Sequence, residues 1–437
     1  MGVLLETRNS TTGSYAANEM QTLFRPLSAG NSLSGVKCLL AIHGRGGTAL
    51  QPHKTPGWYR IIRALTDAGY AVLSIDCAAQ SGGAGTTDAN RYTNPWGNDA
   101  AMTAIANART WLTGQGAASK IGFLDYSLGG GQGFNYGSRN PNNVSGIITF
   151  CGAYDYDWFW TNKAFATAEL EDSYASAHTT TSGSGTLNQV GSNLTLTGAL
   201  AGQPASGTVV LYPITTQGLY VDPVIVTYTG GGGTTTLTGC TIASGSLAWG
   251  TGSVFTGVSP TGGYATNKAT RSPLLIASNP AFDTWPMHCY LAADDATVGP
   301  ATTPIQSPSM SVAFCNAVGS NAVFHSVRGA QYATTNTTLA ESKTLNAVGT
   351  TLNLASINAN WAASGNAVIE TGDQEPLVIA YTGKAGNQLT GVTAVVPTSK
   401  AVTTGSVIYA SGLGGHSSIF DSISESEILG IVKKFTW

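Results

Sequence analysis

The chain has 437 residues, enough for two or three domains with a substantial core. Only 10% of the residues are charged against a usual quarter, Gly numbers 55, and the formal net charge is -3 without clustering of Lys or Arg. That balance favours a β-rich, turn-rich molecule and argues against nucleic acid or an anionic membrane surface as partner. No apolar run reaches bilayer-spanning length, and the opening MGVLLETRNSTTGSYAANEM carries Glu6 and no long apolar block, so it does not read as a secretory signal.

The first 160 or so residues alternate strand and helix patterns. VKCLLAIHG is a continuous apolar run closed by glycine, as expected of a strand buried on both faces. WYRIIRALTDAGY then spaces its apolar residues helically and stops at Gly69. YAVLSIDC predicts the next strand, DAAMTAIANARTWLTG the next helix, and KIGFLDYS and VSGIITFCGAY two further strands. Such alternation implies a doubly wound, mostly parallel sheet with helices on both faces, whose sites lie at the carboxyl ends of the strands. Those ends read HGRGG, DCAAQSGG, DYSLGGG and CGAYDYD. Of the six cysteines, Cys38, Cys77, Cys151 and Cys289 sit in strand-like runs, and none of the six, Cys240 and Cys315 included, shows close metal-ligand spacing. Reduced, buried thiols are expected, with one structural disulfide as the alternative.

The pattern breaks into Thr-, Gly- and Ser-rich text twice, over about 178–258 and 331–411. The two stretches are copies. LNQVGSNLTLTG from Leu187 matches LNAVGTTLNLAS from Leu345, and SGTVVLY from Ser206 matches SGNAVIE from Ser364. VIVTYTGGGGTTTLTGCT from Val224 matches LVIAYTGKAGNQLTGVT from Leu377, and TGSV recurs at Thr251 and Thr404. This is a duplicated β module of about 80 residues. Removing both copies leaves roughly 270 residues, an ordinary size for one α/β domain. The expected organisation is therefore a core of 1–177, 259–330 and 412–437 carrying inserted modules at 178–258 and 331–411.

Within GFLDYSLGGGQGF, from Gly122, a strand runs into Ser127 and then a burst of glycines. A serine at a sharp strand-to-helix turn presents its hydroxyl at the sheet edge, but glycine-rich turns after strands are common, so this spacing alone leaves Ser127 open as nucleophile or turn residue. A nucleophile also needs a base and oxyanion donors. HGRGG offers the Arg45 amide and the residue after the serine offers the Leu128 amide. MHCYLAADDATVGP places a carboxylate past a late strand, and GLGGHSSIF places His416 before the terminal helix. His43 reads as structural, and His288 and His325 as core histidines. The Arg45 side chain faces either substrate or solvent. Trp158, Phe159 and Trp160, in YDYDWFWTNKAF, either wall a substrate pocket or pack beneath the first module.

In this chain order, Ser then Asp then His, the host segments resemble an α/β-hydrolase of the serine esterase or lipase type, over about Met1–Tyr174, Gly262–Arg328 and Gly412–Trp437. The resemblance implies Ser127 as nucleophile and His416 as general base and acid. Family loops reading G-x-x-D-x-x-V fit Ala292 to Val298 with Asp295 as the acid, and Asp294 is the alternative. It implies acyl transfer without a metal or organic cofactor. Two departures stand out: Asp125 occupies the usual glycine position of the nucleophile turn, and a whole module precedes His416. The modules, through VIVTYTG, LVIAYTG and TGSV, resemble small β modules of bacteriophage tail and other virion proteins. Together these imply a virion-associated esterase, assembled in the host cytoplasm as an oligomer or part of an assembly, acting on acyl esters of a cell-surface lipid or glycan. The alternatives are a structural virion protein on a hydrolase-derived fold with weak or lost catalysis, and a secreted polysaccharide esterase with glycan-binding inserts.

Overall fold

The computed structural model describes residues 3–9, 20–30, 32–77, 96–174, 178–199, 203–213, 224–251, 253–257, 264–293, 295, 307–328, 331–372, 376–396, 399–411, 416 and 419–437. Its centre is an eight-stranded sheet of β1 (Val3–Asn9), β2 (Met20–Pro26), β3 (Cys38–Ile42), β4 (Ala71–Ile75), β5 (Ile121–Tyr126), β6 (Val144–Phe150), β7 (Met287–Ala292) and β8 (Ala322–Val327). The spatial order is β1-β2-β4-β3-β5-β6-β7-β8. β1 pairs antiparallel with β2 and β2 antiparallel with β4, whereas β4-β3-β5-β6-β7-β8 are all parallel. This is the α/β-hydrolase fold. Every residue of β3, β4, β5 and β6 is buried, which is why these runs carry no apolar-polar alternation.

The helix Pro56–Asp67 buries Trp58, Ile61, Ile62 and Leu65, one stripe at helical spacing. The helix Asp99–Gly114 begins where the Asn98 side chain accepts from the Ala101 amide at 2.9 Å, a cap that contributes about 1 kcal/mol. The antiparallel pair β1-β2 was not foreseen from the sequence, which carries no two-residue turn signal between them. All six cysteines are buried free thiols. Among the described residues no helix is long and apolar enough to cross a membrane.

The two strand-rich stretches fold alike. In the first, Gly207 stands opposite Tyr228 and Leu194 opposite Leu237; in the second, Gly365 stands opposite Tyr381 and Leu352 opposite Leu389. Each buries its own core through matching positions, Leu187, Leu194, Leu196, Val209 and Leu211 in one and Leu345, Leu352, Leu354, Ala367 and Ile369 in the other. The opposite face of each sheet meets the host. Val210 and Ile225 pack on Ala168 of the helix Ala164–Ser173, while Val368, Val378 and Tyr409 pack on Ala293, just past β7. Val210 and Val368 are equivalent residues of the repeat, so both copies dock through the same strand face. Residues 177, 258, 259, 330 and 412, where the expected boundaries fall, lie outside the described residues.

Candidate active site

β5 delivers Ser127 and the helix Leu128–Arg139 carries the chain away from it. Ser127 adopts φ 53° and ψ -120°, a conformation an L-residue takes only under tertiary constraint. Its amide donates to the Phe150 carbonyl at 2.8 Å, and its own carbonyl accepts from Gly130 at 3.1 Å and Ala153 at 3.0 Å. The turn also depends on a missing side chain, since a β-carbon at Gly129 would collide with the Ile42 carbonyl oxygen of β3. That approach keeps the start of the helix against the sheet.

Three side chains from distant segments meet here. His416 Nε2 lies 2.9 Å from Ser127 Oγ, and His416 Nδ1 lies 2.7 Å from Asp295 Oδ2. Asp295 is wholly buried, while 11% of the His416 side chain remains exposed. With a carboxylate at Nδ1, the proton of a neutral imidazole resides on that nitrogen and the Nε2 lone pair faces the serine hydroxyl. An aromatic group holds the histidine segment: Trp58 stacks on Phe420 at 5.0 Å, Tyr126 stands 5.1 Å from the His416 ring, and the Tyr126 hydroxyl donates to the His416 carbonyl at 3.1 Å. Asp294 lies outside the described residues.

Residues 37–183 match the family profile of the alpha/beta hydrolase fold. No curated protein sequence matches the chain. Among solved structures it is similar to an S-formylglutathione hydrolase from Agrobacterium tumefaciens, at 8% identity over 75% of this chain and 87% of that one, with a TM-score of 0.42. Est1E from Butyrivibrio proteoclasticus gives 11% identity, 71% and 85% coverage and a TM-score of 0.34. An acetyl xylan esterase from Aspergillus awamori gives 20%, 34% and 52%, and 0.26.

The other expected residues fall in different surroundings. Leu128 is the first residue of its helix, where amides have no intrahelical acceptor. The Arg45 loop passes directly over the serine, since a β-carbon on Gly44 would stand 2.9 Å from Ser127 Cβ. The Arg45 side chain, with 33% of its surface exposed, is tied to a buried carboxylate. Its Nε donates to Glu169 Oε1 at 2.8 Å, and the buried Glu169 also accepts from Trp96 Nε1 at 2.9 Å. His43 is buried with Nε2 3.1 Å from the Asp76 carbonyl, a structural placement. Trp158 and Trp160 sit on the helix Tyr156–Asn162 in the layer of helices. Lys163 lies over the Trp158 ring, and Trp160 Nε1 donates to Glu171 Oε1 at 2.7 Å.

Asp125 has a physical account that the sequence did not offer. Its carboxyl is fully buried, with no hydrogen-bond partner for either oxygen among the described residues. Burial pushes its pKa well above the ordinary value; the approach of the Ile42 amide offsets this in part without hydrogen-bond geometry. Burial thus favours its neutral form. Room for it comes from Gly133, whose missing side chain would otherwise overlap Asp125 Oδ2. The glycine usual at the turn has in effect moved onto the helix.

His288 and His325 prove not to be core residues. They are half-buried neighbours on β7 and β8, with His288 Nδ1 2.8 Å from His325 Nε2 and His325 Nδ1 3.8 Å from Glu427. Burial, then the facing His325 and Lys434, lowers the His288 pKa to about 4. Sequence reasoning also missed Cys151. It follows β6 in a left-handed conformation, φ 50°, and its sulfur, an Asp295 oxygen and a His416 nitrogen all lie within 4.8 Å of one another. Its position at a strand end, like that of Ser127, was the available signal.

Proposed function

We propose that the protein is a serine esterase in which Ser127 attacks an acyl ester, His416 relays the proton and Asp295 orients the imidazole. The observation that carries this reading is the unbroken line Ser127 Oγ–His416 Nε2 at 2.9 Å and His416 Nδ1–Asp295 Oδ2 at 2.7 Å. The serine loses its proton to Nε2 as its oxygen bonds to the ester carbonyl carbon. The resulting oxyanion accepts hydrogen bonds from the Arg45 and Leu128 amides, whose loop and helix both adjoin Ser127. Collapse expels the alcohol with the proton from His416, and water repeats the sequence on the acyl-enzyme. Asp295 stabilises the imidazolium in both halves. Trp158 and Trp160 are assigned to packing rather than substrate contact.

The biological setting is proposed from the duplicated segments. Sparsely charged, Thr- and Gly-rich β modules docked beside the site suit a virion-associated enzyme that deacylates a lipid or polysaccharide of the host surface, built into an assembly with other virion proteins. Turnover of a short p-nitrophenyl ester by wild type and its loss in Ser127→Ala tests the chemistry. Fluorophosphonate labelling with peptide mapping tests the nucleophile, and an adduct elsewhere than Ser127 refutes the assignment.

A further inference from the structure

Cys151 plays no part in acyl transfer as described, yet its sulfur shares a buried space with the two groups that orient and perform proton transfer. Its backbone is held over-determined at φ 50°, and its amide donates to the Tyr290 carbonyl of β7 at 2.7 Å. The Cys151 backbone is thus held between the ends of β6 and β7.

We propose that Cys151, Asp295 and His416 form an inhibitory site for a thiophilic divalent cation of the zinc type. One thiolate, one carboxylate and one imidazole are a donor set zinc favours, in a geometry that leaves a fourth position open. Ligands around tetrahedral zinc stand about 3.4–3.7 Å apart given zinc–ligand lengths near 2.0–2.3 Å. The observed cluster brackets that spacing, with every pair inside 4.8 Å and His416 Nδ1 and Asp295 Oδ2 2.7 Å apart, so an ion between them would have to part the hydrogen-bonded pair. Charge also balances: thiolate and carboxylate cancel the two positive charges, so no net charge is left buried. The cluster is buried, and 11% of the His416 side chain reaches solvent.

The inhibition follows from proton positions and rests on the proposed catalytic roles. Before binding, Asp295 is ionised, His416 carries its proton on Nδ1, and Cys151 is a thiol. The cation takes the Nδ1 lone pair, so the ring proton moves to Nε2 by exchange with solvent. The thiol loses its proton to solvent, and nothing is oxidised or reduced. One proton is released per ion bound. With a proton on Nε2, the imidazole donates to Ser127 Oγ and has no lone pair to accept from it, so the nucleophile stays neutral.

The test uses the full chain, freed of metal with a chelator, as wild type, Ser127→Ala and Cys151→Ala. Cobalt(II) serves as a spectroscopic probe through thiolate-to-metal charge-transfer absorption, and zinc as the inhibitor of p-nitrophenyl ester turnover. Wild type and Ser127→Ala should each bind one cobalt with that absorption. Zinc should suppress wild-type turnover reversibly on chelation. Loss of even an outer partner of a metal ligand costs about 10–100-fold in affinity, so Cys151→Ala should abolish the absorption and need at least about 100-fold more zinc for half-inhibition. Cys151→Ser, closer in volume, carries the same test should the alanine variant unfold. No charge-transfer band in wild type overturns the proposal. So does zinc inhibition undiminished in the Cys151 variants, which would place the ion elsewhere, as at His288 and His325. If the esterase reading alone fails, no variant hydrolyses ester while the cobalt band persists in wild type and Ser127→Ala.

Discussion

The pairing of Asp125 with Gly133 makes a quantitative claim about the nucleophile turn. Gly133→Ala should gain about 1 kcal/mol from helix propensity, because it replaces glycine inside a helix. Against that gain, its β-carbon meets Asp125 Oδ2 in overlap and Asp125 Cγ and Phe123 Cδ1 at 3.3 Å each. The carboxyl has nowhere to retreat, since Asp125 has no exposed surface. Overpacking of this kind costs typically 1–3 kcal/mol, and the overlap here argues for the upper end, so the single substitution should destabilise by about 1–2 kcal/mol net. In an Asp125→Gly background the overlap vanishes and the same Gly133→Ala should stabilise by about 1 kcal/mol. The coupling is therefore about 2–3 kcal/mol, well above the 0.5 kcal/mol or so by which independent sites depart from additivity. Urea unfolding of the four proteins measures it, with equal denaturant slopes as the check that only stability has moved. Additive effects would refute the idea that a helix glycine compensates for the aspartate.

Asp295→Asn should leave the fold intact and lower kcat for an activated ester about 10³–10⁴-fold, read by steady-state kinetics, because the imidazole loses its orienting charge. Asp125→Asn should become increasingly stabilising over wild type as pH rises above about 4. An acid whose folded pKa is raised loses stability with rising pH, at up to about 1.4 kcal/mol per unit, until it ionises in the folded state; thermal melts across pH read the trend. His288→Gln should retain stability that wild type loses on acidification from pH 6.5 toward 4, because a neutral half-buried histidine favours folding only above the unfolded-state value. Tyr409→Ala should cost about 3–5 kcal/mol by emptying the seam between the second module and Ala293, and should depress kcat along with stability.

Much of the site was legible because it lies where buried strands end. Ser127 and Asp295 each follow a strand of the parallel sheet, and such strand ends on one edge converge whatever their separation in sequence, whereas His416 follows a strand of the second module, Val407–Ser411. The repeat was legible for a similar reason: each copy keeps the same inward positions, so Leu187 and Leu345 announce one another. What stayed hidden depends on register between elements. That Gly133 faces Asp125 requires knowing how the helix Leu128–Arg139 lies on β5. The Arg45–Glu169 contact spans 124 positions that no local pattern joins. The helices Tyr156–Asn162 and Ala164–Ser173 were obscured by aromatic and polar text lacking a clear apolar stripe. His288 and His325 looked like core because a strand beside the sheet edge can be as apolar in sequence as one at its centre.

Ser127 finds its imidazole partner 289 positions later, past both copies of the repeat. During synthesis the hydroxyl leaves the ribosome long before the residue that activates it. A chain halted within the second copy would hold a formed turn and no base, and so would be inert. On the proposed roles, turnover therefore waits until the last stretch of chain is threaded home.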